Sequence, residues 1–402
     1  MPFEVPEGWV WTTLGEISTY GECNTITIDE IGKDDWILEL EDLEKDTAAI
    51  IQTLTKKERS LKGVRHKFCK GEVLYSKLRT YLNKVLVAPN DGYCTTEIMP
   101  FNSFCSISTD YLCHVLRSRY FLGYTLQCGY GVKMPRLSTN DARKGMIPLP
   151  PLAEQLRIVN EIERSFAAIN TLENSKTHLQ TAIKQAKNKI LDLAIRGKLV
   201  PQDPNDEPAS ELLKRINPKV EITCDNGHYP IGWIKTILGE LFSHNTGKAL
   251  NSSNKEGIFK DYLTTSNVYW NKFDFTVIKQ MPFKESELDK CTVTKGDLLV
   301  CEGGDIGRSA IWNFDYDICI QNHIHRLRPK IDLCVPFYYY TFAYLKENNL
   351  IGGKGIGLLG LSSNALHKIE LPLPPLAEQQ RIVQKIEALF SVLDNIQNAL
   401  EV

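Results

Sequence analysis

The chain has 402 residues, of which 43% are apolar and 24% are charged, and its formal net charge is −2. This length suits two or three domains with hydrophobic cores. No apolar run approaches the roughly 20 residues needed to cross a bilayer, and we expect neither a signal peptide nor a membrane association. Because the net charge is near zero, any binding of nucleic acid has to use local basic patches.

The eleven cysteines are scattered without a Cys-x-x-Cys pair. This pattern predicts reduced thiols in a cytoplasmic protein rather than a disulfide framework or a zinc site. Cys319, His323 and His325 could be imagined as metal ligands, but no fourth ligand has the spacing of a known site. We therefore predict that the chain holds no metal.

In chain order, the first element is an amphipathic segment at residues 9–20. The Gly8-Trp9 pair at its start recurs 224 residues later as Gly232-Trp233. The same offset relates residues 147–159, IPLPPLAEQLRIV, to residues 371–383, LPLPPLAEQQRIV, which are identical at eleven of thirteen positions. A repeat of this kind predicts two copies of one structural plan. Because the sequence between the repeated landmarks differs, we predict one scaffold that carries two different readers, related by a pseudo-two-fold axis.

A basic region follows a predicted buried strand at residues 36–43. Residues 56–84 carry ten lysines and arginines against two glutamates. Within them, a turn and strand at residues 71–76 lead into a loop, SKLRTYLNK, at residues 76–84. Long cations neutralise phosphates, and Arg and Asn make bidentate contacts with guanine and adenine edges. A charge run alone is more often a solvated face, but its place between two strand signals favours binding here.

The remainder of the first half contains strands between residues 85 and 116 and a helix around residues 110–126. Residues 129–136 then form a glycine-flanked loop with two cations. Glycines let the backbone approach a phosphate closely, although a plain turn is equally consistent with the glycines alone.

Two long helices are predicted from the absence of glycine and proline at residues 152–196 and 376–402. Apolar residues at spacings of three and four indicate a coiled-coil seam, with lengths of roughly 65 Å and 40 Å. We expect the helices to pair antiparallel, which leaves part of the longer helix to seat another subunit. The predicted helix and partner interface comprises Leu152, Leu156, Val159, Phe166, Leu376, Ile382, Ile386 and Phe390.

The second half repeats the plan with different loops. A strand at residues 262–268 ends in a polar tip. The strand at residues 295–301 is the counterpart of residues 70–76, one residue out of the common offset, and it leads into a glycine-rich turn, EGGDIGR, at residues 302–308. Residues 321–328 alternate as a strand, and their Asn, Gln and Arg side chains suit base edges or phosphates.

Sequence signatures of catalysis are absent. Every Gly-Lys pair is followed by Asp, Leu, Ala or Gly, so there is no Walker-type phosphate loop. There is also no Asn-Pro-Pro-Tyr type tetrapeptide of amino-methyltransferases, and no zincin or Gly-x-Ser-x-Gly pattern. We predict that the chain has no catalytic site of its own.

The two PLPPLAEQ-x-RIV copies and the central ILDLAIRGKLVPQDPNDEPASELL at residues 190–213 carry a family resemblance. So do WILELEDLEKDT (36–47), LYSKLRTYLNKV (74–85) and GDLLVCEGGDIGRSAIW (296–312). In this combination the chain resembles the specificity subunits of Type I restriction-modification systems over nearly its full length.

The resemblance implies a mixed α/β (α+β) fold in which two target-recognition domains are joined by long antiparallel coiled-coil helices. The implied boundaries are 1–150 for the first recognition domain, 151–228 for the central helical region, 229–374 for the second recognition domain and 375–402 for the C-terminal helix. The short second helix departs from the symmetric plan of the repeat.

The resemblance also implies partners. The chain would read an interrupted double-stranded DNA target and dock two methyltransferase subunits, and two motor-nuclease (restriction) subunits would add to the complex. S-adenosylmethionine, ATP and Mg²⁺ would be used by those subunits rather than by this chain, in a bacterial or archaeal cytoplasm. Two alternatives are a stand-alone sequence-specific DNA-binding protein and an enzyme with an unrecognised active site.

By position, the resemblance assigns candidate DNA contacts in both readers. Those of the first reader are Ser76, Lys77, Arg79, Tyr81, Asn83, Lys84, Lys133 and Arg136. Those of the second reader are Ser266, Asn267, Asp305, Arg308, Asn322, His325, Arg326 and Lys354. From these assignments we expect Arg79→Ala to weaken DNA binding and Leu156→Asp to damage the helical core or the docking of a partner.

Overall fold

The computed structural model describes residues 2–104, 107–131, 133–216, 218, 228–250, 256–351 and 361–401. The chain divides into two compact units, Met1–Glu173 (unit 1) and Asn174–Val402 (unit 2). Both units mix helices with β-sheets, which confirms the predicted α/β class. Within the described ranges, no helix combines the length and apolar character that crossing a bilayer requires. The four predicted domain boundaries stay predictions.

Unit 1 contains a five-stranded sheet, a three-stranded sheet and a two-stranded ribbon between the first and last strands. Their strand orders are β2-β5-β8-β3-β4, β7-β6-β9 and β1-β10. The strands are β1 (Val10–Thr13), β2 (Asn24–Thr27), β3 (Trp36–Leu38), β4 (Leu54–Thr55), β5 (Val64–Phe68), β6 (Val73–Ser76), β7 (Val85–Val87), β8 (Gly92–Cys94), β9 (Ile98–Phe101) and β10 (Met146–Leu149).

The helix predicted around residues 110–126 is two helices in the structure. Ser118 has an extended backbone, with ψ of 152°, and its hydroxyl accepts a hydrogen bond from the backbone N–H of Phe121. A serine in this conformation ends one helix and caps the next. The helices of this part are α1 (Leu14–Ile17), α2 (Thr109–Arg117), α3 (Arg119–Cys128) and α4 (Thr139–Lys144).

The predicted long helix is present as α5 (Leu152–Ile195), a single helix of 44 residues. Gly197 follows its end with φ of 65°, a conformation that favours glycine. The middle of this helix is exposed: Phe166, Ile169 and Leu172 have relative exposures of 55%, 47% and 70%. Near its two ends, Val159 on one side and Leu191, Ala194 and Ile195 on the other belong to buried cores.

Unit 2 is built around two four-stranded sheets, β12-β21-β18-β19 and β16-β13-β20-β17, with the ribbons β11-β22 and β14-β15. Its helices are α6 (Ala209–Ile216), α7 (Leu238–Leu241), α8 (Glu285–Cys291), α9 (Val335–Glu347), α10 (Ser363–His367) and α11 (Leu376–Ala399). Its strands are β11 (Ile234–Ile237), β12 (Phe242–Thr246), β13 (Ile258–Leu263), β14 (Val268–Tyr269), β15 (Lys272–Phe273), β16 (Lys279–Phe283), β17 (Thr292–Val293), β18 (Leu298–Cys301), β19 (Ser309–Ile311), β20 (Ile318–Ile320), β21 (Ile324–Pro329) and β22 (Glu370–Leu373).

Within unit 2, α11 packs antiparallel to the C-terminal part of α5. Lys187 forms an ion pair of 2.5 Å with Asp394, whereas Gln202, just after α5, bonds to Glu378 near the start of α11. Ile382 and Ile386 are fully buried, so these predicted interface residues belong to the core.

Leu156 is not a core residue, contrary to the predicted seam. Its relative exposure is 49%, that of Leu152 is 42%, and Val159 is 6% exposed. The core-facing polar residue at this end is Gln155, whose amide donates to Pro150 O at 2.9 Å and accepts from Ser108 N at 2.9 Å. An interpretation of Leu156→Asp as core damage is therefore wrong, although docking of a partner on Leu156 stays a prediction.

The glutamine of PLPPLAEQ makes equivalent hydrogen bonds in both copies of the motif. In unit 2, Gln379 donates to Pro374 O at 2.9 Å and accepts from Cys334 N at 3.0 Å. In each unit the side chain thus ties the Pro-Pro turn to the start of a neighbouring helix. This explains why the motif ends in a buried polar residue.

Candidate nucleic-acid interface

The candidate loop of the first reader, residues 76–84, connects the buried strand β6 to the partly buried strand β7 of one hairpin. Its tip is a single 3₁₀ turn, Thr80–Leu82, flanked by Arg79 and Asn83. Both flanking residues are left-handed, with φ of 52°. Such a backbone is uncommon for residues other than glycine and is held only where surrounding contacts impose it.

Those contacts come from the second candidate stretch, residues 129–136. The backbone N–H of Arg79 donates to Pro135 O at 2.7 Å, and Leu137 N donates to Lys77 O at 2.9 Å. Tyr130 and Arg136 exchange two backbone hydrogen bonds of 3.0 and 2.9 Å, which closes the glycine-flanked loop as a hairpin. The fold therefore brings together the two stretches that the sequence indicated separately.

The surface formed by residues 76–84, 129–131 and 133–136 is called the reader 1 face. Tyr81 is exposed, at 41%, and Lys133 is also exposed. Arg136 forms an ion pair of 2.7 Å with Glu97 but keeps 41% of its side chain exposed. The exposed side chains of Tyr130 and Met134 lie on the same loop. Neither residue is among the expected contacts, because the basic residues of the loop were the signal, although both exposed side chains could stack on a base.

A cleft of about 690 Å³ opens beside the reader 1 face. Three expected contacts, Ser76, Arg79 and Lys84, line it. Its wall also contains charged side chains that are not among the expected contacts. Two of them, Glu39 and Glu41, belong to the ELEDLEKDT stretch, and the others are Glu58 and Arg59.

Much of the basic run is used inside unit 1. Arg59, with a side chain only 8% exposed, pairs with the fully buried Asp42, and Arg65 pairs with Glu39 at 2.8 Å. The ammonium of Lys84 donates to Leu40 O at 2.7 Å, and burial lowers the pKa of Lys84, an effect that nearby Asp42 opposes. These cations stabilise the fold, so the run is not one continuous DNA-facing surface.

Ser76 and Asn83 also have structural partners. The Ser76 side chain is 4% exposed and its hydroxyl donates to Leu78 O at 2.9 Å. The Asn83 amide donates to Arg117 O at 3.1 Å. The structure thus assigns Ser76, Asn83 and Lys84 to shaping the loop. Of the other expected contacts, Lys77 and Arg79 are partly exposed, Tyr81 and Lys133 are exposed, and Arg136 keeps part of its side chain exposed.

The second reader presents a different loop from the equivalent hairpin, between β18 and β19. Arg308, at the end of the glycine-rich turn, lies over the ring of Tyr269 at 4.9 Å and donates to Thr265 O. The other end of the turn is joined to the next candidate stretch by Glu302 N, which donates to His323 O at 2.9 Å. The turns at residues 264–269, 302–308 and 321–323 therefore meet, and we call their surface the reader 2 face.

Ser266, Asp305, Arg308 and Asn322 lie on these turns. Ser266 is exposed, and Asn322 is partly exposed. Asp305 forms an ion pair of 2.7 Å with Lys346. Because its carboxylate is already paired, Asp305 is a weaker candidate for a DNA contact. Lys354 lies outside the described residues.

The structure corrects three of the second reader's expected contacts, because their side chains are buried. Asn267 is 3% exposed; its oxygen accepts from Thr264, and its amide donates to Asp274 O and Val277 O. Arg326 is 3% exposed and donates to the backbone oxygens of Asp289 and Thr292. His325 is fully buried. None of the three can reach DNA without opening the fold.

His325 instead belongs to a cluster of three histidines. Its Nδ1 lies 2.7 Å from Nε2 of His244, and its Nε2 lies 2.7 Å from Leu361 O. The ring of His367 packs edge-on against His244 at 4.8 Å. Because a carbonyl oxygen only accepts, Nε2 of His325 is the donor to Leu361, and the imidazole chain carries the hydrogen-bond pattern of neutral rings.

Acidification is expected to destabilise unit 2 through this cluster. Burial, reinforced by His325 and His367, lowers the pKa of His244 from 6.5 to about 4. Unfolding therefore takes up a proton between these pH values, so the stabilisation is complete above pH 6.5 and is lost as the pH falls toward 4. We expect His244→Gln to reduce the fall in free energy of unfolding between pH 7 and pH 4.5.

The measurement is urea unfolding at a series of pH values. The control is His178→Gln, since His178 is exposed on α5. An acid-dependent loss of stability that is identical in the His244→Gln variant and the original chain would contradict this assignment.

Cys319, His323 and His325, which were considered as metal ligands, have other contacts in the structure. His325 is engaged as above, and His323 lies 3.4 Å from Glu302, while Cys319 is buried in β20. Among the described residues, no three His, Cys, Asp or Glu side chains form a group that could hold a metal ion.

Comparison with known proteins agrees with this architecture. Residues 230–402 match the family model of the Type I restriction modification DNA specificity domain. Over its whole length, the chain is 24% identical to the Escherichia coli Type I restriction enzyme EcoEI specificity subunit and covers 80% of that protein. Residues 230–402 thus carry the Type I restriction modification DNA specificity domain, and the whole chain is similar to a Type I specificity subunit.

Further similar proteins cover different shares of the chain. The Escherichia coli EcoDI specificity subunit is 30% identical over 178 residues, which are 42% of this chain and 39% of that protein. The HsdS subunit from Thermoanaerobacter tengcongensis has a TM-score of 0.62 at 20% identity and covers all of this chain and 92% of that one. A structure from work on assembly and conformational transition of the type I R-M system gives a TM-score of 0.65 at 20% identity, with coverages of 100% and 96%. These structural similarities show the fold.

Proposed function

We propose that this chain is a Type I specificity subunit that reads an interrupted double-stranded DNA target, one half with each recognition domain. The observation that carries the proposal is one frame that displays two unlike loops. The same backbone bond fixes both: Leu137 N to Lys77 O at 2.9 Å and Leu361 N to Glu302 O at 3.0 Å. Equivalent backbone hydrogen bonds hold two loops with different side chains, as expected of a scaffold that reads two different half-sites.

The chemistry of the two faces supports different readouts. The reader 1 face offers Lys77, Arg79 and Lys133 with the aromatic ring of Tyr81, a set suited to phosphates, guanine edges and stacking. The reader 2 face offers Ser266 and Asn322 beside one cation, Arg308, and these amide and hydroxyl groups suit adenine or either base. Since the chain is nearly neutral overall, these local groups would supply its attraction to DNA.

The helices and the repeated frame would hold the partners. We propose that two methyltransferase subunits dock there, bind S-adenosylmethionine and methylate adenine, and that two motor-nuclease subunits use ATP and Mg²⁺. The chain itself would bind none of these cofactors. A stand-alone DNA-binding protein is the second candidate, but an exposed apolar stretch in the middle of α5 favours a subunit that assembles with others.

A genome-wide map of methylated adenine, made with and without this gene, tests the proposal. We expect one interrupted motif to lose methylation throughout the genome, with two half-sites separated by a fixed spacer. As the control, reintroducing the gene into the deletion host is expected to restore methylation of the motif. Unchanged methylation in a host whose methyltransferase subunit is active would contradict the proposal, and methylation by the purified chain alone would support an enzyme instead.

A further inference from the structure

Lys77 and Glu302 occupy equivalent places in the two units. Each directly follows a strand whose four residues are all buried, β6 for Lys77 and β18 for Glu302. Each of these strands also pairs antiparallel with a later strand of its own unit, β9 and β21 respectively. The loops that begin at the two residues differ in sequence, but their first residues can therefore be compared directly.

Backbone hydrogen bonds hold both residues on the same two sides. The N–H of Lys77 donates to Glu97 O at 3.0 Å, and the N–H of Glu302 donates to His323 O at 2.9 Å. Each carbonyl accepts from the leucine of the repeated Leu-Ser-x-Asn landmark, at 2.9 Å in unit 1 and 3.0 Å in unit 2. Because the backbone sets the direction of the Cα–Cβ bond, the two side chains leave the frame at equivalent places.

The charges at these places are exchanged between the units. Unit 1 has Lys77 after β6 and Glu97 directly before β9. Unit 2 has Glu302 after β18 and His323 directly before β21. A lysine can only donate hydrogen bonds, whereas a carboxylate can only accept them. The first residue of each loop therefore selects opposite groups on a base edge.

The carboxylate of Glu302 lies on the reader 2 face, with 28% of its side chain exposed. Among the described residues its one polar partner is Nδ1 of His323, at the long distance of 3.4 Å. By contrast, Asp297 at the other end of β18 is buried, and Arg328 donates to both of its oxygens. Glu302 thus keeps accepting capacity that the neighbouring acid uses inside the fold.

The start of the loop leaves this carboxylate accessible. Gly303 and Gly304 follow Glu302, and a Cβ atom at either glycine would meet no heavy atom of the described residues within 4 Å. Residues without side chains let a backbone approach a ligand closely. A DNA groove could therefore approach the carboxylate without displacing a side chain of these two residues.

Cytosine is the base whose major-groove edge complements a carboxylate. Phosphates repel an acid on a DNA-binding surface, so a base edge has to supply a hydrogen-bond donor for Glu302. Cytosine presents the N4 amino group, a donor, whereas guanine and thymine present acceptors. Adenine presents a donor beside the N7 acceptor, which opposes the second carboxylate oxygen.

We propose that Glu302 is a specificity-determining residue of the second reader, whose carboxylate accepts a hydrogen bond from N4 of a cytosine in the major groove. His323 is the positioning residue that holds this carboxylate. The inference rests on the proposed function and names the base that one residue recognises. Lys77, at the equivalent place of the first reader, would instead donate to O6 and N7 of a guanine.

The test is competition binding of the full chain, followed by fluorescence anisotropy, with duplexes of the target that the methylation map defines. Each competitor changes one base pair of one half-site. We expect the original chain to prefer cytosine at one position of one half-site by roughly tenfold or more. Glu302→Gln is expected to shift the preference at that position to adenine, since glutamine bonds both N6 and N7, and Glu302→Lys to shift it to guanine.

Asp315→Asn is the matched control, because it removes an acid from the same unit at the opposite end of the β18–β19 hairpin. Asp315 is 88% exposed and pairs with Lys295 at 2.6 Å, so every base preference should stay unchanged. His323→Ala should reduce the preference for cytosine at the same position only. Combined with Glu302→Gln it should add little, because His323 acts through the carboxylate.

Two results would overturn this inference and leave the proposed function standing. One is an unchanged set of base preferences in both Glu302 variants. The other is an equal loss of affinity for every duplex, which would assign Glu302 a structural role; circular dichroism would show whether the variants are folded. An original chain that bound all duplexes alike would instead contradict the proposed function itself, and this inference with it.

Discussion

Ile382→Asp is expected to unfold unit 2, whereas Leu156→Asp is expected to leave the chain folded. Ile382 is fully buried in the cluster that joins α11 to the end of α5. Truncating a buried Ile alone costs roughly 2–5 kcal/mol, and Asp adds an unpaired buried charge. We therefore expect a loss of more than about 4 kcal/mol, comparable to the stability of many domains.

Leu156 provides the matched control for the same substitution. Its side chain is 49% exposed, and exposed substitutions usually change stability by about 0.5 kcal/mol or less. The repeat itself places a polar residue, Gln380, at the equivalent position of unit 2. Urea unfolding followed by circular dichroism measures both variants, and comparable destabilisation by Leu156→Asp would contradict the assigned helix face.

This pair of residues illustrates what apolar spacing can and cannot predict. The absence of glycine and proline predicted α5 almost to the residue, because a helix propagates until a residue with another backbone preference ends it. Apolar spacing did not identify which face of α5 is buried. Leu152, Leu156 and Val159 share a spacing of three and four, yet only Val159 is buried, because the core of unit 1 is also closed by Gln155, a polar residue.

Internal partners also limited the prediction of the interface. The strand-and-turn signal at residues 71–76 located the hairpin of the reader 1 face correctly. The charge of the region did not reveal that Arg59 pairs with Asp42, seventeen residues earlier, or that Lys84 donates to Leu40. The resemblance placed His325 and Arg326 among the DNA contacts, whereas β21 lies inside its sheet and both side chains are buried. Such pairings depend on tertiary contacts that sequence spacing does not encode.

Arg79→Ala is expected to weaken specific DNA binding of the chain by about 1–3 kcal/mol if its guanidinium contacts a base edge. Arg79 lies at the tip of the reader 1 hairpin and lines the cleft, and its left-handed backbone is fixed by the hydrogen bond to Pro135. The fixed backbone sets the direction of the side chain before DNA arrives. Preorganisation of this kind reduces the entropy lost on binding.

The measurement is competition binding with DNA targets altered in one half-site at a time, repeated over a range of salt concentrations. A base contact predicts that Arg79→Ala relaxes discrimination in only one half-site. A phosphate contact predicts a uniform loss for every sequence, with the salt slope reduced by about one.

Lys57→Ala is the control that separates a specific contact from the loss of a charge. It removes one cation from the same basic run, but Lys57 is paired with Asp34 at 2.7 Å on an exposed part of unit 1. If Arg79→Ala resembled Lys57→Ala in affinity, specificity and salt dependence, the reader 1 face would not be the surface that contacts DNA. If only Arg79→Ala changed one half-site, the hairpin tip of unit 1 would be assigned to that half of the target, and the other half would fall to the reader 2 face.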